Sequence, residues 1–445
     1  MGGILRSLHR YASDAFMLVM TLHLIREWCY GRYHGFRLYS WMTGVPLLWL
    51  AYISGIGGYW IVWDQLAQVS ATATAELLDW LPIFSEPSAR NFLTPDSISD
   101  RFFTMLVFIH IGVPLLLILG LWAHVHRISH VDYLPGKRVM LATLLALLIL
   151  SLLQPALSNP PANLAMLPGA LDFDWFILFI HPLTDLTSPA IVWLLLLALT
   201  ALLFALPLLP HPAAEPVAVV DPANCTGCDR CLADCPYAAI AMQPHPLRPG
   251  FKLAVVDGDL CAGCGICAGS CPSSTPFRRR DKLVTGIDMP QQPIHALREE
   301  LEQAVARLSG PQRVVVFACA RGADASGLAA ADTAVMPLLC TGMLPPSFVE
   351  YALRGGADGV LLNTCRPGGC DFRLGDRWTR ERLAGEREPH LRQTVPAARL
   401  QLCAAAAGDE PMLSAALNDL RARLANEALA SDRLPPYLRR VSNHA

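Results

Sequence analysis

The chain has 445 residues, of which 53% are hydrophobic and 16% charged, and its formal net charge is -2 at pH 7. This composition excludes a disordered chain and a nucleic-acid-binding protein. Thirteen of the 14 cysteines follow residue 220, whereas the long apolar runs end near residue 210. The sequence therefore predicts a membrane half and then a reduced half that faces the cytoplasm and binds metal, rather than a disulfide-bonded scaffold.

Five apolar runs in the first half are long enough to cross a bilayer as helices, which takes about 20 residues. They lie at 8–28, 42–63, 102–125, 139–157 and 189–209. A shorter run at 175–181 is set off by prolines and predicts an interfacial or re-entrant segment. Basic residues are concentrated in the links 26–41 and 126–138. The positive-inside rule then places the N-terminus outside and everything after residue 210 in the cytoplasm.

Four histidines form two matched pairs on the first and third runs. His9 and His23 are 14 residues apart, and so are His110 and His124. Fourteen residues return to nearly the same helix face about 21 Å further along. The spacing predicts that His9 faces His110, that His23 faces His124, and that each pair clamps one b-type haem. The alternative for a single membrane histidine is a hydrogen-bonded residue within the bundle.

Glycines and arginines accompany these histidines. Gly44 and Gly58 on the second run are also 14 residues apart, which predicts room for two flat macrocycles against the backbone. The alternative is close helix packing through small residues. Arg6, Arg10 and Arg26 lie near the histidines in sequence and predict ion pairs with haem propionates.

Three segments of the first half resemble a known family. LHRYASDAFMLVMTLHLIR (8–26), TGVPLLWLAYISGIGGYWIVWDQ (43–65) and HIGVPLLLILGLWAH (110–124) resemble the second, third and fourth helices of the cytochrome b of quinol:cytochrome c reductases. The resemblance implies the haem pairs given above, and residues 139–210 fit the next two helices. The family's first helix is missing here, which implies that a partner or a second copy covers that side of the bundle.

The outer quinol site of that family contains a Pro-Glu-Trp-Tyr motif. The matching place in this sequence reads LDFDWF (171–176). The resemblance implies that Asp172 or Asp174 takes the role of the motif's acid. Because the sequence departs from the motif, it does not by itself predict whether the outer quinone site works.

Beyond a proline- and alanine-rich connector at 211–222, two runs of C-x2-C-x2-C-x3-C-P supply eight cysteines. Four thiolates hold an iron–sulfur cubane, and three of them come from one close-spaced loop. Zinc is the alternative, although zinc sites use two C-x2-C pairs rather than two complete runs. The runs resemble two-cluster bacterial ferredoxins. This resemblance implies one 4Fe-4S cluster on Cys225, Cys228, Cys231 and Cys271, and a second on Cys261, Cys264, Cys267 and Cys235.

The last part alternates strands with helices. Strands predicted at 313–319, 334–340 and 358–365 indicate a small α/β domain with a parallel sheet. Because parallel strands end at one edge, the cysteines at or after their ends are expected to meet there. They predict a 2Fe-2S cluster, with buried free thiols as the alternative. These four residues are Cys319, Cys340, Cys365 and Cys370.

This domain also resembles a known family. ACARGADASG (318–327), CTGMLPPSFVEYALRGGADGVLL (340–362) and CRPGGCDFRLGD (365–376) resemble the delta subunit of methyl-viologen-reducing hydrogenase. That family passes electrons between a hydrogenase or formate dehydrogenase and a heterodisulfide-reductase-type flavoprotein. Its first motif normally has two cysteines two residues apart, whereas this chain has only Cys319 there.

The predicted fold class is therefore multidomain: an all-α transmembrane haem bundle of five spans, a ferredoxin-like module with two 4Fe-4S clusters, and a small α/β domain. The predicted boundaries are 1–210 for the haem bundle, 211–222 for the connector, 223–280 for the ferredoxin module, 281–310 for a linking helix, 311–408 for the α/β domain and 409–445 for a helical tail.

The predicted function is a multi-pass subunit of a bacterial or archaeal cell membrane. It would carry electrons between the quinone pool and a cytoplasmic flavoprotein, hydrogenase or formate dehydrogenase, as a homodimer or a hetero-oligomer. Two alternatives remain open: a haem-free membrane anchor that docks a soluble complex, and a complete quinone reductase that needs no partner. Each makes a different prediction for haem content and turnover of the isolated chain.

Overall fold

A computed structural model of the chain describes residues 2–83, 93–94, 96–210, 216–279 and 283–432. The chain divides into two compact units. The first comprises Met1–Arg127 and Val131–Pro212, and the second comprises Ile128–His130 and Ala213–Ala445. Parts of the predicted connectors and tail, at 211–215, 280–282 and 433–445, lie outside the described residues.

The first unit is helical, and a helix occupies each of the five positions predicted from the apolar runs. In the described part of this unit, two further helices, α3 and α6, lie between them. The helices are α1 Gly2–Cys29, α2 Leu38–Trp60, α3 Gln65–Asp79, α4 Asp100–Val125, α5 Lys137–Leu153, α6 Ile180–Leu186 and α7 Pro189–Ala205.

Helix α3 was not predicted, because its region was assigned to a connecting link. Its start is set by Asp64, whose side chain accepts a hydrogen bond from the Ala67 N–H at 2.9 Å. A carboxylate at this position satisfies one of the free amides of the first turn. Helix α6 takes up the end of the short apolar run at 175–181 and extends beyond it to Leu186.

The prediction of five membrane spans is supported only in part. Among the described residues, the helices long and apolar enough to cross a membrane are Asp100–Val125 and Pro189–Leu208. Helix α5 has 17 residues, fewer than the roughly 20 that a bilayer core requires. Most of its side chains are exposed, and Ser151 is buried.

The second unit begins with the ferredoxin module, which contains two antiparallel strand pairs. Strand β1 (Val219–Val220) pairs with β4 (Ile287–Asp288), and β2 (Ile240–Pro244) pairs with β3 (Lys252–Val256). Two five-residue helices, α8 (Arg230–Asp234) and α9 (Ile266–Ser270), each carry the third cysteine of one run. Each follows a residue in the left-handed region, where the backbone turns sharply from the loop into the helix.

The α/β domain is built on a parallel sheet, as the alternating pattern predicted. Within the described residues its strand order is β6-β5-β7-β8. Strands β5 and β7 are buried along their whole length, which explains their continuous apolar runs. The strands are β5 Val314–Cys319, β6 Thr333–Leu338, β7 Gly359–Thr364 and β8 Leu400–Ala404.

Helices cover both faces of this sheet. Helices α10 (Ile294–Arg307) and α11 (Ser347–Gly355) share one core with it, and α13 (Glu410–Asp432) shares the other. Helix α12 (Gly375–Ala384) lies between α11 and α13 along the chain. Both α10 and α13 were predicted outside the domain, as linking helix and tail. Their apolar residues recur at helical spacing and are buried against the sheet, so both belong to it.

Candidate functional site

The four predicted membrane histidines meet in the predicted pairs, between α1 and α4. The ring centres of His9 and His110 are 6.2 Å apart, and those of His23 and His124 are 6.5 Å apart. A metal–imidazole bond is about 2 Å long, so two imidazoles on opposite sides of one metal have ring centres about 6 Å apart. Both pairs therefore have the separation that a bis-histidine haem requires.

The two glycines of α2 lie against these histidines. A Cβ atom on Gly58 would be 2.9 Å from Cε1 of His110, and one on Gly44 would be 3.3 Å from Cε1 of His124. In the structure, the absence of a side chain at these glycines makes room for the imidazoles of His110 and His124. The sequence predicted that the same glycines make room for the macrocycles. Any larger residue at Gly58 would push His110 away from its present position.

By their predicted positions, His9 and His110 are called the outer pair and His23 and His124 the inner pair. The inner pair has a polar neighbour that orients one ring. The hydroxyl of Thr43 lies 3.2 Å from Nδ1 of His124 and donates to the carbonyl of Tyr39 at 2.8 Å. A hydroxyl that already donates elsewhere accepts from the imidazole N–H. An engaged Nδ1 is the arrangement that presents the other ring nitrogen to a metal.

The predicted arginines have protein partners in the structure. Arg10 bonds to Asp14 at 3.1 Å and to Asp174, and its guanidinium lies 4.3 Å from the centre of the Tyr59 ring. Arg6 donates to the Ser158 hydroxyl at 2.6 Å, and Arg26 pairs with Glu27. The guanidinium of Arg10 is thus already held by two carboxylates, which sequence proximity to His9 did not predict.

A cavity of about 980 Å³ opens beside the outer histidine pair. Its walls include His9, His110 and Tyr59 together with both acids of the LDFDWF segment. Asp174 accepts hydrogen bonds from Tyr59 and from the amides of Phe176 and Ile177, whereas Asp172 is exposed. Of the two predicted acids, Asp174 is therefore the one built into the wall.

The ferredoxin cysteines group as the resemblance implied, with the fourth cysteine exchanged between runs. Cys231 interacts electrostatically with Cys228, Cys271 and Cys225. Cys267 interacts most strongly with three others, which are Cys264, Cys235 and Cys261.

The chemistry of these thiols fits an iron–sulfur cluster. Burial raises the pKa of Cys231 to about 12 and raises that of Cys267 as well, so thiolates here need bound cations to be stable. In the described part of the chain, no three His, Cys, Asp or Glu side chains are close enough to share one ion.

The strand-end cysteines converge at one edge of the parallel sheet. Sγ of Cys319 lies 3.7 Å from Sγ of Cys365, and Cys340 and Cys370 complete the group. Hydrogen bonds from the Cys340 and Cys365 thiols lower the pKa of Cys319 to about 3. These four buried sulfurs can serve as ligands of one further metal centre.

Sequence reasoning missed the glycine that makes this convergence possible. A Cβ atom on Gly375 would lie 2.2 Å from Sγ of Cys340 and 3.4 Å from Sγ of Cys370. The only signal was its position near the end of the segment 365–376, where it opens α12. A glycine inside a helix start, five residues after a candidate ligand, can mark a backbone that must approach sulfur closely.

Three family models match successive parts of the chain. Cytochrome b(N-terminal)/b6/petB matches residues 14–158, the 4Fe-4S dicluster domain matches 224–275, and the delta subunit of methyl-viologen-reducing hydrogenase matches 314–426. The three resemblances read from the sequence are thereby confirmed. His9 lies just outside the first match.

Among solved structures, the chain is similar to one from "Hyperthermophilic respiratory Complex III". Sequence identity is 18% and the TM-score is 0.36, over 47% of this chain and 64% of that chain. The chain thus covers less than two thirds of that protein's length.

Proposed function

We propose that this membrane electron-transfer subunit carries electrons between the quinone pool and a cytoplasmic iron–sulfur or flavin oxidoreductase of the heterodisulfide-reductase or hydrogenase type. The observation that carries the proposal is the pair of facing histidines at each of two depths, 6.2 Å and 6.5 Å between ring centres. Two haems at these positions would supply one-electron transfer across the bilayer. In this proposal the two cysteine runs of the same chain hold two 4Fe-4S clusters, and the four strand-end cysteines hold a 2Fe-2S centre.

The cavity walled by both His9 and His110 includes the space that a haem held by this pair would fill, and its polar edge at Tyr59 and Asp174 supports quinone chemistry beside that haem. Its volume falls in the range of small-molecule and cofactor sites, about 300–1,000 Å³. Asp174 and Tyr59 provide polar groups on a wall that also contains Arg10. These groups can orient a ring carbonyl or hydroxyl, while Asp172 at the exposed rim is placed to exchange protons with solvent.

The chain's own residues perform three tasks in this proposal. The histidines would hold haem iron, the glycines of α2 let the imidazoles of α4 approach, and the cysteines would hold the iron of the clusters. Five crossings, an external N-terminus and cytoplasmic iron–sulfur domains belong to the same proposal. The basic links 26–41 and 126–138 support that orientation.

The test uses the purified full-length chain in lipid nanodiscs. We expect a reduced b-type absorption band with two haems per chain, reduction of that band by quinol, and cluster signals in electron paramagnetic resonance. A preparation with iron and acid-labile sulfide but no haem would replace this proposal with the membrane-anchor alternative. Rapid turnover by the isolated chain with a quinone and a ferredoxin would instead favour a self-sufficient reductase.

A further inference from the structure

The two ferredoxin ligand sets differ in what surrounds them within the second unit. The set containing Cys235 contacts two other segments through backbone and buried polar groups, and the set containing Cys225 is bordered mainly by its own module. The residues that make these contacts lie around Asp234, Cys235 and the helix α9.

One of these segments is the short stretch 128–130, which follows His124 by four to six residues in the chain. The Ser129 amide donates to the carbonyl of Pro236 at 3.1 Å, and its hydroxyl donates to the carbonyl of Cys235. Nε2 of His130 lies 2.9 Å from the carbonyl of Ala233. The stretch thus binds along the backbone on both sides of the Cys235 ligand.

Arg373 fastens this contact from the α/β domain. Its Nη1 atom donates to the carbonyls of Ser129 and Pro236, both at 2.9 Å, and its Nη2 atom donates to the carbonyl of His130 at 3.2 Å. Arg373 and His130 both have positive φ, 64° and 51°. Such backbone is energetically unfavourable and persists where surrounding contacts require it.

The second segment is the loop that carries Cys340. A Cβ atom on Gly269 would lie 2.2 Å from the carbonyl oxygen of Gly342, and one on Gly265 would lie 2.9 Å from Cβ of Met343. Helix α9, which carries Cys267, is therefore in backbone contact with the turn that follows Cys340.

A buried arginine joins the two sides of this contact. Arg382 is 1% exposed; it donates to the carbonyl of Gly342 at 2.7 Å, to Asp234 at 2.5 Å and to the carbonyl of Ile266 at 3.5 Å. Asp234 also binds Arg387 at 2.6 Å. The buried guanidinium of Arg382 thus lies between two metal-binding loops, where a positive charge stabilises the reduced form of a neighbouring cluster.

The other ligand set shares the contacts at Ala233 and Asp234, because α8 also carries Cys231. The backbone of its own cysteines is held within the module: the Cys225 carbonyl accepts from Arg248 at 2.9 Å, and Arg248 also holds the carbonyl of Pro222. A further contact of α8 with the α/β domain is an exposed pair, Arg230 with Glu388 at 3.6 Å. Exposed pairs of this kind contribute little.

We propose that the ligand set Cys235, Cys261, Cys264 and Cys267 is the electron junction of the second unit, that is, the cluster through which electrons enter and leave the other iron centres. Arg373 and Arg382 are positioning residues: Arg373 holds the side formed by the stretch 128–130, and Arg382 holds the side formed by the turn after Cys340. The inference rests on the electron-transfer function proposed above. At each junction one electron leaves one iron centre, which is oxidised, and reduces the next by one electron. No bond is made or broken, and the direction follows the potentials of the quinone and the cytoplasmic partner.

The experiment compares three arginine variants of the full-length haem-containing protein. Arg373→Gln and Arg382→Gln alter the two sides of the junction, and Arg248→Gln alters a contact of the other ligand set. Rapid mixing follows electron equilibration between haem and clusters, and redox titration by electron paramagnetic resonance gives the midpoint potential of each cluster. Iron and acid-labile sulfide are measured for every variant.

We expect Arg373→Gln to slow haem-to-cluster equilibration by about tenfold at unchanged iron content, because small misplacements of reacting groups have large effects on rate. Arg382→Gln is expected to shift one cluster's midpoint potential downwards, and Arg382→Lys to restore part of the shift. Arg248→Gln is expected to leave the equilibration rate unchanged. If Arg382→Gln does not fold, Gly269→Ala tests the contact between α9 and the turn after Cys340, because its added Cβ atom displaces α9 from Gly342.

Equal slowing by Arg248→Gln and Arg373→Gln would overturn the assignment of the junction, as would unchanged rates and potentials in both Arg373→Gln and Arg382→Gln. Failure of the underlying function gives a different result. In that case the unmodified protein shows no electron exchange between haem and clusters, whatever the variants do to the midpoint potentials.

Discussion

The two halves of the molecule position their candidate ligands in different ways. In the helical unit the histidines stand on the faces of long helices, and their spacing repeats that of the helix itself. In the second unit the cysteines lie on loops, five-residue helices and strand ends, where the backbone is shaped by residues such as Gly265 with a φ of 73°. Haem binding should therefore depend on side-chain clearance between helices, and cluster binding on the close approach of backbone to sulfur.

The largest expected effect tests the helical side of this comparison. His110→Ala removes one imidazole from the outer pair and leaves the inner pair, 6.5 Å between ring centres, unchanged. We expect one haem per chain instead of two, measured by pyridine haemochrome, with the clusters retained. His126→Ala is the matched control, because His126 stacks on Trp122 and belongs to neither pair. Loss of both haems, or of neither, would contradict independent sites on two helix faces.

Gly375→Ala tests the backbone rule in the second unit. Its Cβ atom would lie 2.2 Å from Sγ of Cys340, a distance that forces the sulfur or α12 to move. We expect the centre formed by the strand-end cysteines to be lost or strongly reduced, with both haems and the ferredoxin clusters retained. Iron content and the spectrum of the third centre measure this.

The control for that variant is Gly327→Ala, since a Cβ atom at Gly327 has open space and its backbone is not left-handed. Normal assembly of the third centre in Gly375→Ala would show that backbone clearance at this position does not control ligand placement.

Gly58→Ala should have a smaller effect, because a methyl group at this position meets a side chain that can adjust. A Cβ atom added at Gly58 would lie 2.9 Å from Cε1 of His110, whereas one added at Gly44 would lie 3.3 Å from Cε1 of His124. We expect weaker retention of the outer haem during purification in Gly58→Ala and a lesser loss in Gly44→Ala. Gly57→Ala, with open space around its Cβ position, serves as control. A greater loss in Gly44→Ala would reverse the order that the distances predict.

The same contrast explains what could be predicted from sequence. Helical periodicity fixes which residues share a face, so the pairing of His9 with His110 and of His23 with His124 followed from spacing alone. Parallel strands end at one edge, so the meeting of Cys319 with Cys365 also followed from the pattern.

Contacts between residues remote in sequence could not be predicted in this way. Arg10 binds Asp174 across 164 positions, and Arg382 reaches Asp234 across 148. No periodicity links such residues. Helix α10 was predicted as a linking helix. Its apolar residues are spaced for one face, and only the sheet shows which surface that face covers.

The smallest expected effect concerns the orientation of a ligand rather than its presence. Thr43→Ala removes the hydroxyl that lies 3.2 Å from Nδ1 of His124, and the helix bond to the Tyr39 carbonyl is lost with it. Thr200→Ala removes an equivalent helix bond, to the Leu196 carbonyl at 2.7 Å, away from the four paired histidines. The difference between the two variants therefore isolates the contact with the imidazole.

Both variants should retain two haems, since all four imidazoles remain. A hydrogen bond from Nδ1 makes the other ring nitrogen a stronger donor to iron and favours the ferric form. We therefore expect the midpoint potential of the inner haem to rise in Thr43→Ala and to stay unchanged in Thr200→Ala, by optical redox titration. An equal shift in both variants would assign the change to helix packing, and the hydroxyl of Thr43 would then have no part in ligand orientation.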